Sequence, residues 1–238
     1  MKSIQVERFG GPEELKLREA PKPQPGPGEV LVQIACAGVN YIDVYMRDGS
    51  YARSHTYQTP LPMTLGMEGA GTIAGLGPDA GDFRVGETVA YCLSRGSYAE
   101  YAVVPAWKLV RVPAGVALPI ATALMLQGAT AHYLSHSAFP LRRGNTCLVH
   151  AGAGGVGQLL IQLAKRAGAT VITTVGSDEK AELARRRGAD HVILYRSVDF
   201  GAEVKRLTNG RGVDVVYDSV GRDTLARSIR SLRRRGHR

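Results

Sequence analysis

The sequence holds only three cysteines, one tryptophan and four phenylalanines in 238 residues, and no uninterrupted run of 18 apolar residues. Cys36, Cys92 and Cys147 are odd in number, far apart and without C-x-x-C spacing, so neither a disulfide framework nor a cysteine zinc cage is indicated. The absence of a long apolar run argues against a membrane span, and Met1 to Gly10 lacks the charged, apolar and small-residue series of an export signal. A cytoplasmic protein is the expectation. Acids are also scarce relative to bases, giving a net charge of +9, but seven arginines against one aspartate in 222–238 account for six of those charges. The excess is thus a local feature of the end of the chain, not the basic face of a general nucleic-acid-binding surface.

What is present divides at about residue 124. Residues 1–124 read as short extended runs separated by turns: Val30 to Ala35 after Pro25-Gly26-Pro27-Gly28, then Gly69 to Ala74, a strand start at Gly86 to Ala90 and another at Gly96 to Tyr101. A compact, mostly β domain fits this half. Residues 125–238 alternate apolar runs with helical blocks, the form of βαβ units around a parallel sheet. Strands are predicted over Thr146 to Ala151, Thr170 to Val175, His191 to Tyr195 and Val213 to Asp218, with helices over Val156 to Ala167 and Asp178 to Arg187.

Between the first of these strands and its helix lies Gly152-Ala153-Gly154-Gly155-Val156-Gly157. A G-x-G-x-x-G in strand–turn–helix context is the fingerprint of a dinucleotide site. Gly152 is expected to permit the tight turn, Gly154 to let the backbone approach a pyrophosphate, and Gly157 to let helix pack on strand. The phosphates would sit on the free amides and positive end of the helix. NAD-preferring sites place an acid at the end of the second strand, whereas Val171 to Val175 runs into Gly176-Ser177 with Lys180 just beyond. A missing acid and a nearby cation suit a 2′-phosphate, so NADPH is expected over NADH; a solvated helix lysine is the alternative reading of Lys180.

Gly10-Gly11-Pro12-Glu13, Gly38-Val39-Asn40-Tyr41-Ile42-Asp43-Val44-Tyr45, the AGAGGVG loop, Val175-Gly176-Ser177 with Lys180, and Val216-Tyr217-Asp218-Ser219-Val220-Gly221 together resemble the quinone oxidoreductase, or zeta-crystallin-like, branch of the medium-chain dehydrogenase/reductase superfamily. The resemblance implies an α/β protein: a GroES-like catalytic β domain followed by a Rossmann domain with a doubly wound parallel sheet, with the nicotinamide held where the two meet. It implies an NADPH-dependent quinone reductase without zinc, because Asn40 and Met67 stand where zinc-using relatives have cysteine and histidine, and amide and thioether are poor zinc ligands. By resemblance Asn40, Asp43, Tyr45 and Tyr51 line the substrate side. Thr130 and Ser219 lie by the nicotinamide half of the cofactor, and Tyr195 by its adenosine phosphate end. Read without it, Asn40 and Asp43 are a loop or helix-cap pair and the tyrosines are packing residues. His132 and His136 have i, i+4 spacing but no zincin glutamate, and are read as surface or packed polar residues.

The acceptor would be a quinone or another activated alkene or carbonyl compound, and the resemblance implies a homodimer formed through the Rossmann sheet edge. It also implies that the sheet is incomplete at its C-terminal end here. A helix is expected over Thr224 to Leu232 from the spacing of Leu225, Ile229 and Leu232, but Arg233 to Arg238 carries too much charge to fill a buried central strand. Two other readings stay open: a crystallin-like or degraded relative that binds NADPH without turnover, and an RNA-binding protein acting through the basic tail.

Overall fold

In a computed structural model that describes residues 1–238, the chain falls into two compact units, Met1–Leu126 and Gln127–Arg238. The first is built on a five-stranded antiparallel sheet in the order β7-β3-β5-β6-β8, from β3 (Glu29–Ala37), β5 (Glu68–Leu76), β6 (Thr88–Cys92), β7 (Tyr101–Pro105) and β8 (Val110–Arg111). β1 (Lys2–Val6), β2 (Lys16–Glu19) and β4 (Met63–Thr64) form a smaller sheet beside it. Alternation explains the core: Val30 and Val32 of β3, Ile73 of β5, Val89 and Tyr91 of β6 and Val104 of β7 point inward and are buried together. β3 and β5 meet in register except at two irregular positions, and Gly71 sits at that crowded seam, where a Cβ would lie 1.9 Å from the Gln33 carbonyl.

A short helix, α1 (Tyr41–Arg47), interrupts this β unit with Asn40 as its N-cap, the helix-cap alternative of the loop or helix-cap reading. The Asn40 N–H donates to Asp43 Oδ2 at 2.9 Å, one half of a capping box. An apolar helix, α2 (Leu118–His132), continues as a π-helical turn through Ala138. No helix is long and apolar enough to cross a membrane.

The second unit contains a five-stranded sheet, all parallel, in the order β11-β10-β9-β12-β13. Its strands are β9 (Thr146–Val149), β10 (Thr170–Val175), β11 (His191–Leu194), β12 (Val213–Tyr217) and β13 (Leu232–His237). The helices between them are α3 (Gly155–Arg166), α4 (Asp178–Arg186), α5 (Phe200–Leu207) and α6 (Leu225–Ser231). Strand order reverses between β9 and β12, and in an open parallel sheet that point, at the carboxyl ends of the strands, is where ligands bind. The strand interiors are continuous apolar runs because helices cover both faces: one core gathers Val149, Leu160, Ile161, Ala164 and Val171, the other Leu148, Ile172, Phe200, Val204 and Val216.

The arginine-rich end, too charged for a buried central strand, forms β13 at the sheet edge with β12 as sole partner. An edge position lets Arg234 and Arg235 project into solvent, while Leu232 packs on the core and Arg233 pairs with the buried Asp214. The pairing is irregular: Val213 faces Leu232 but Val215 faces His237, and Arg235 within the excess loop has a φ of 61°.

Candidate functional site

The glycine fingerprint forms the turn between β9 and α3. Ala151 takes the left-handed conformation, φ 53°, so it and not Gly152 makes the reversal that the sequence assigned to the first glycine. Gly152 is required for a different reason: a Cβ there would lie 2.0 Å from Thr173 Oγ1, whose hydroxyl donates to the Val149 carbonyl at 2.6 Å. Gly157 behaves as expected of a packing glycine, since a Cβ would meet the Ala151 carbonyl at 2.3 Å. Gly154 is the N-cap of α3 and offers no side chain to cap the first amides, and the Gln127 side-chain amide lies over Gly155, its Oε1 2.0 Å from where a Cβ on that glycine would stand. An uncapped helix N-terminus at a strand switch point, lined by Gly154, Gly155, Val156 and Gly157 with Ala153 half-buried behind, offers backbone amides of the kind that take a pyrophosphate.

At the end of β10 the structure brings Gly176, Tyr195 and Arg196 together: a Cβ on Gly176 would stand 3.2 Å from the Tyr195 hydroxyl and 3.5 Å from Arg196 Nε. Ser177 caps α4, its hydroxyl accepting from the Lys180 N–H at 3.4 Å, and Ser177 and Lys180 are both exposed. Asp178 and Glu179 belong to the first turn of α4 and not to the strand end. Ser219 lies in an exposed bend directly after β12, next to the glycine turn in sheet order, and Thr130 is half-buried on α2.

That bend is shaped by Asp218, which stands in the sequence motif without an assigned role, and by Thr224 and Ser228. Asp218 Oδ1 accepts from the Val220 and Gly221 amides at 2.9 and 3.1 Å and from the Thr224 hydroxyl at 2.8 Å, while Oδ2 accepts from the Ser228 hydroxyl at 2.7 Å. Burial alone would push this carboxyl up, but the bonds from Ser228, Gly221 and Thr224 hold it below the ordinary carboxylate range.

The first unit carries a separate cluster around Asn40. Asn40 Nδ2 donates to Glu68 Oε2 at 2.8 Å, the Leu126 amide donates to Glu68 Oε1 at 2.6 Å, and the Tyr98 hydroxyl donates to Asp43 Oδ2 at 2.9 Å. Burial pushes both carboxyls upward, against the hydrogen bonds that favour their charged forms. Burial and then the Asp43 carboxylate push the Tyr98 hydroxyl upward, which keeps it a neutral donor. Glu68 and Tyr98 were absent from the sequence reading as site residues. These bonds tie Asp43, Glu68 and Tyr98 into one cluster, with Asn40 fixed at the start of α1 by its amide nitrogen and its backbone. This is the helix-cap geometry that the residues suggested when read alone.

Four tyrosines follow one another across this surface. Ring centroids of Tyr41 and Tyr45 are 6.1 Å apart, those of Tyr45 and Tyr51 5.4 Å, and Tyr51 stacks on Tyr57 at 5.3 Å. Tyr45 is partly exposed, whereas Tyr51 and Tyr57 pack against Met46, Met63 and Met67. Such a surface suits a flat, conjugated molecule. His132 and His136 stack ring on ring at 4.1 Å with both exposed, and no group of three or more His, Cys, Asp or Glu side chains gathers as a metal site.

Comparison with known proteins assigns each unit. Residues 26–114 match the alcohol dehydrogenase GroES-like domain, and residues 155–237 match the domain described as zinc-binding dehydrogenase. A 2-haloacrylate reductase of a Burkholderia species is 42% identical over 97% of this chain and 70% of its own length. A quinone oxidoreductase of Pseudomonas aeruginosa is 43% identical over 99% of this chain and 71% of its own length. Among solved structures, the Escherichia coli quinone oxidoreductase complexed with NADPH superposes with a TM-score of 0.94 at 38% identity, over 99% of this chain and 71% of that one.

Proposed function

Since this chain belongs to the quinone oxidoreductase, or zeta-crystallin-like, branch of the medium-chain dehydrogenase/reductase superfamily, we propose that it is an NADPH-dependent reductase that passes hydride to a quinone or another activated alkene without using zinc. The observation that carries this reading is the glycine-built start of α3, without a side-chain cap, at the point where the parallel sheet reverses, with Lys180 and no strand-end acid beside it. NADPH, when bound, supplies the hydride and is the source of the redox chemistry.

The chain's own residues bind and orient. Gly154 to Gly157 take the pyrophosphate, and Gly176, Ser177, Lys180 and Tyr195 surround the 2′-phosphate. Thr130 and Ser219 position the nicotinamide half, the latter through the Asp218-bound bend. Asn40, Tyr45 and Tyr51 contact the acceptor, with Asp43 holding Asn40 at the head of α1. Zinc independence follows from donor chemistry: Asn40 turns its amide nitrogen, which cannot ligate a cation, toward Glu68, and the neighbouring Met67 offers a thioether. A quinone is electrophilic enough to take hydride without a Lewis acid, and its proton comes from solvent or a tyrosine hydroxyl.

The experiment is to titrate the 238-residue chain with NADPH and NADH by cofactor fluorescence, then to follow oxidation on adding an ortho-quinone or a simple enone. Selective NADPH binding with acceptor-dependent oxidation is expected. Binding without oxidation would favour the non-catalytic relative, and no binding of either cofactor would overturn the reading.

A further inference from the structure

An open pocket of about 580 Å³ lies in the first unit, walled by Met46, Met67, Cys92, Tyr57, Trp107 and the segment from Leu93 to Arg95. It continues the tyrosine surface, because Tyr57 is both the last stacked ring and part of the pocket wall. Its two charged lining residues are Arg95 and Lys108, and no acid lines it. Arg95 donates one N–H to the Gln58 carbonyl at 2.8 Å, and Lys108 donates to the Leu93 carbonyl and lies 5.2 Å from the Trp107 ring centroid. Neither cation has a carboxylate partner, although other arginines in this unit, such as Arg8, Arg18 and Arg111, are paired. Burial and then the nearby Glu68 push the Cys92 thiol of the wall up, and Glu68 already accepts from Asn40 and Leu126.

A half-buried guanidinium with unmatched donors and an ammonium on the same wall make a site for an anion, and the planar fork of arginine fits a carboxylate in particular. We infer that this pocket is a carboxylate subsite, with Arg95 and Lys108 binding the acid group of a flat, conjugated acceptor such as a 2-substituted acrylate. The assignment rests on the reductase reading only in taking the anion to be part of the hydride acceptor. In that reaction hydride from NADPH adds to the β-carbon, the alkene electron pair takes a solvent proton at the α-carbon, and NADP⁺ and the saturated acid are left. Burial lowers the Arg95 guanidinium, in keeping with a cation that lacks a counter-ion.

Trp107 is the only tryptophan and lines the pocket, so its fluorescence reports occupancy without cofactor or turnover. The first titration compares isobutyrate with isobutyramide, which have the same shape but differ in charge. The expected result is at least tenfold tighter binding of isobutyrate, a preference that falls with added salt, is lost in Arg95→Gln/Lys108→Gln and is partly retained in Arg95→Lys. Equal binding of acid and amide, survival of the preference in the double variant, or tighter binding of inorganic phosphate than of isobutyrate would overturn the carboxylate assignment. The wild-type comparison needs no variant to fold.

The second measurement is NADPH oxidation with 2-chloroacrylate against 2-chloroacrylamide. The amide is the better electrophile, so a tenfold higher kcat/KM for the acid would report the subsite. Isobutyrate binding with no oxidation of NADPH by these acceptors, by an ortho-quinone or by a simple enone would sink the reductase reading and leave the subsite standing.

Discussion

His150 at the end of β9 and Ser228 on α6 are bonded across the buried switch point, with His150 Nε2 2.9 Å from Ser228 Oγ. The Ser228 hydroxyl donates its one proton to Asp218 Oδ2, so it can only accept from the imidazole, which must carry its proton on Nε2. His150 Nδ1 is then the acceptor for the Thr174 hydroxyl at 2.8 Å. One tautomer therefore links β9, β10, α6 and the bend bearing Ser219. The order is histidine, serine, carboxylate, with the serine in the middle, so it fixes the loop and is not a nucleophile–base relay.

Removing the middle member should be costly. Ser228→Ala leaves the His150 N–H and one Asp218 oxygen without partners in a site that is fully buried at Ser228. The expected loss is about 1–3 kcal/mol of folding stability, read as a lower urea midpoint with unchanged slope. NADPH affinity should fall as well, because the bend loses one of its anchors.

The same histidine sets a pH dependence. Burial lowers His150, against the opposing pull of Asp218, so the native state holds it neutral where the unfolded chain would protonate it. The unfolded state then binds more protons just below the ordinary histidine value of about 6.5, and this contribution to stability is present above that pH and lost as pH falls through it. Relative to His150→Gln, the wild type should lose thermal stability between pH 7 and pH 5. Parallel melting curves for the two proteins over that range would remove the argument.

The local features were legible and the distant ones were not. The glycine turn, the strands around it and the helix after it could be read because their signals lie within a dozen residues and repeat with a fixed period. α1 was only half legible: Asn40 and Asp43 stand at capping-box spacing and read as a loop or helix-cap pair, but the short run that follows carries no period long enough to mark a helix. The partners that fix the candidate site are separated by 28 residues for Asn40 and Glu68, 55 for Asp43 and Tyr98 and 78 for His150 and Ser228. No local pattern announces such pairs. The reversal at Ala151 was assigned to Gly152 because a glycine usually takes a left-handed turn, while the actual constraint on Gly152 is a side chain from the neighbouring strand.

That constraint can be measured as a coupling. Gly152→Ala places a methyl 2.0 Å from Thr173 Oγ1 and should cost about 1–3 kcal/mol by overpacking. Thr173→Ala alone gives up the bond to the Val149 carbonyl, about 1 kcal/mol. Because the second change removes the group that the first collides with, the double variant should be more stable than the sum of the two losses requires. Additive losses would mean that Gly152 is needed for the turn itself.

The edge strand offers a last test, through Asp214, which is 2% exposed and accepts from the Thr146 amide at 2.7 Å, from Arg211 at 2.6 Å and from Arg233. Burial opposes its ionisation, but the Thr146 amide, Arg233 and Arg211 together hold the carboxyl below its ordinary value. A depressed carboxyl stabilises the fold above the unfolded value and loses that contribution as pH falls through the folded one. Asp214→Asn should thus be less stable than wild type at neutral pH, with the difference closing in acid. Arg233→Ala leaves Thr146 and Arg211 in place and should cost only about 1 kcal/mol overall. Its effect should be concentrated at the seam between β12 and β13, where amide hydrogen exchange would speed up before any other part of the sheet. Uniformly faster exchange across β9, β10 and β12 would instead mean that the arginine-rich strand supports the whole sheet and not just its edge.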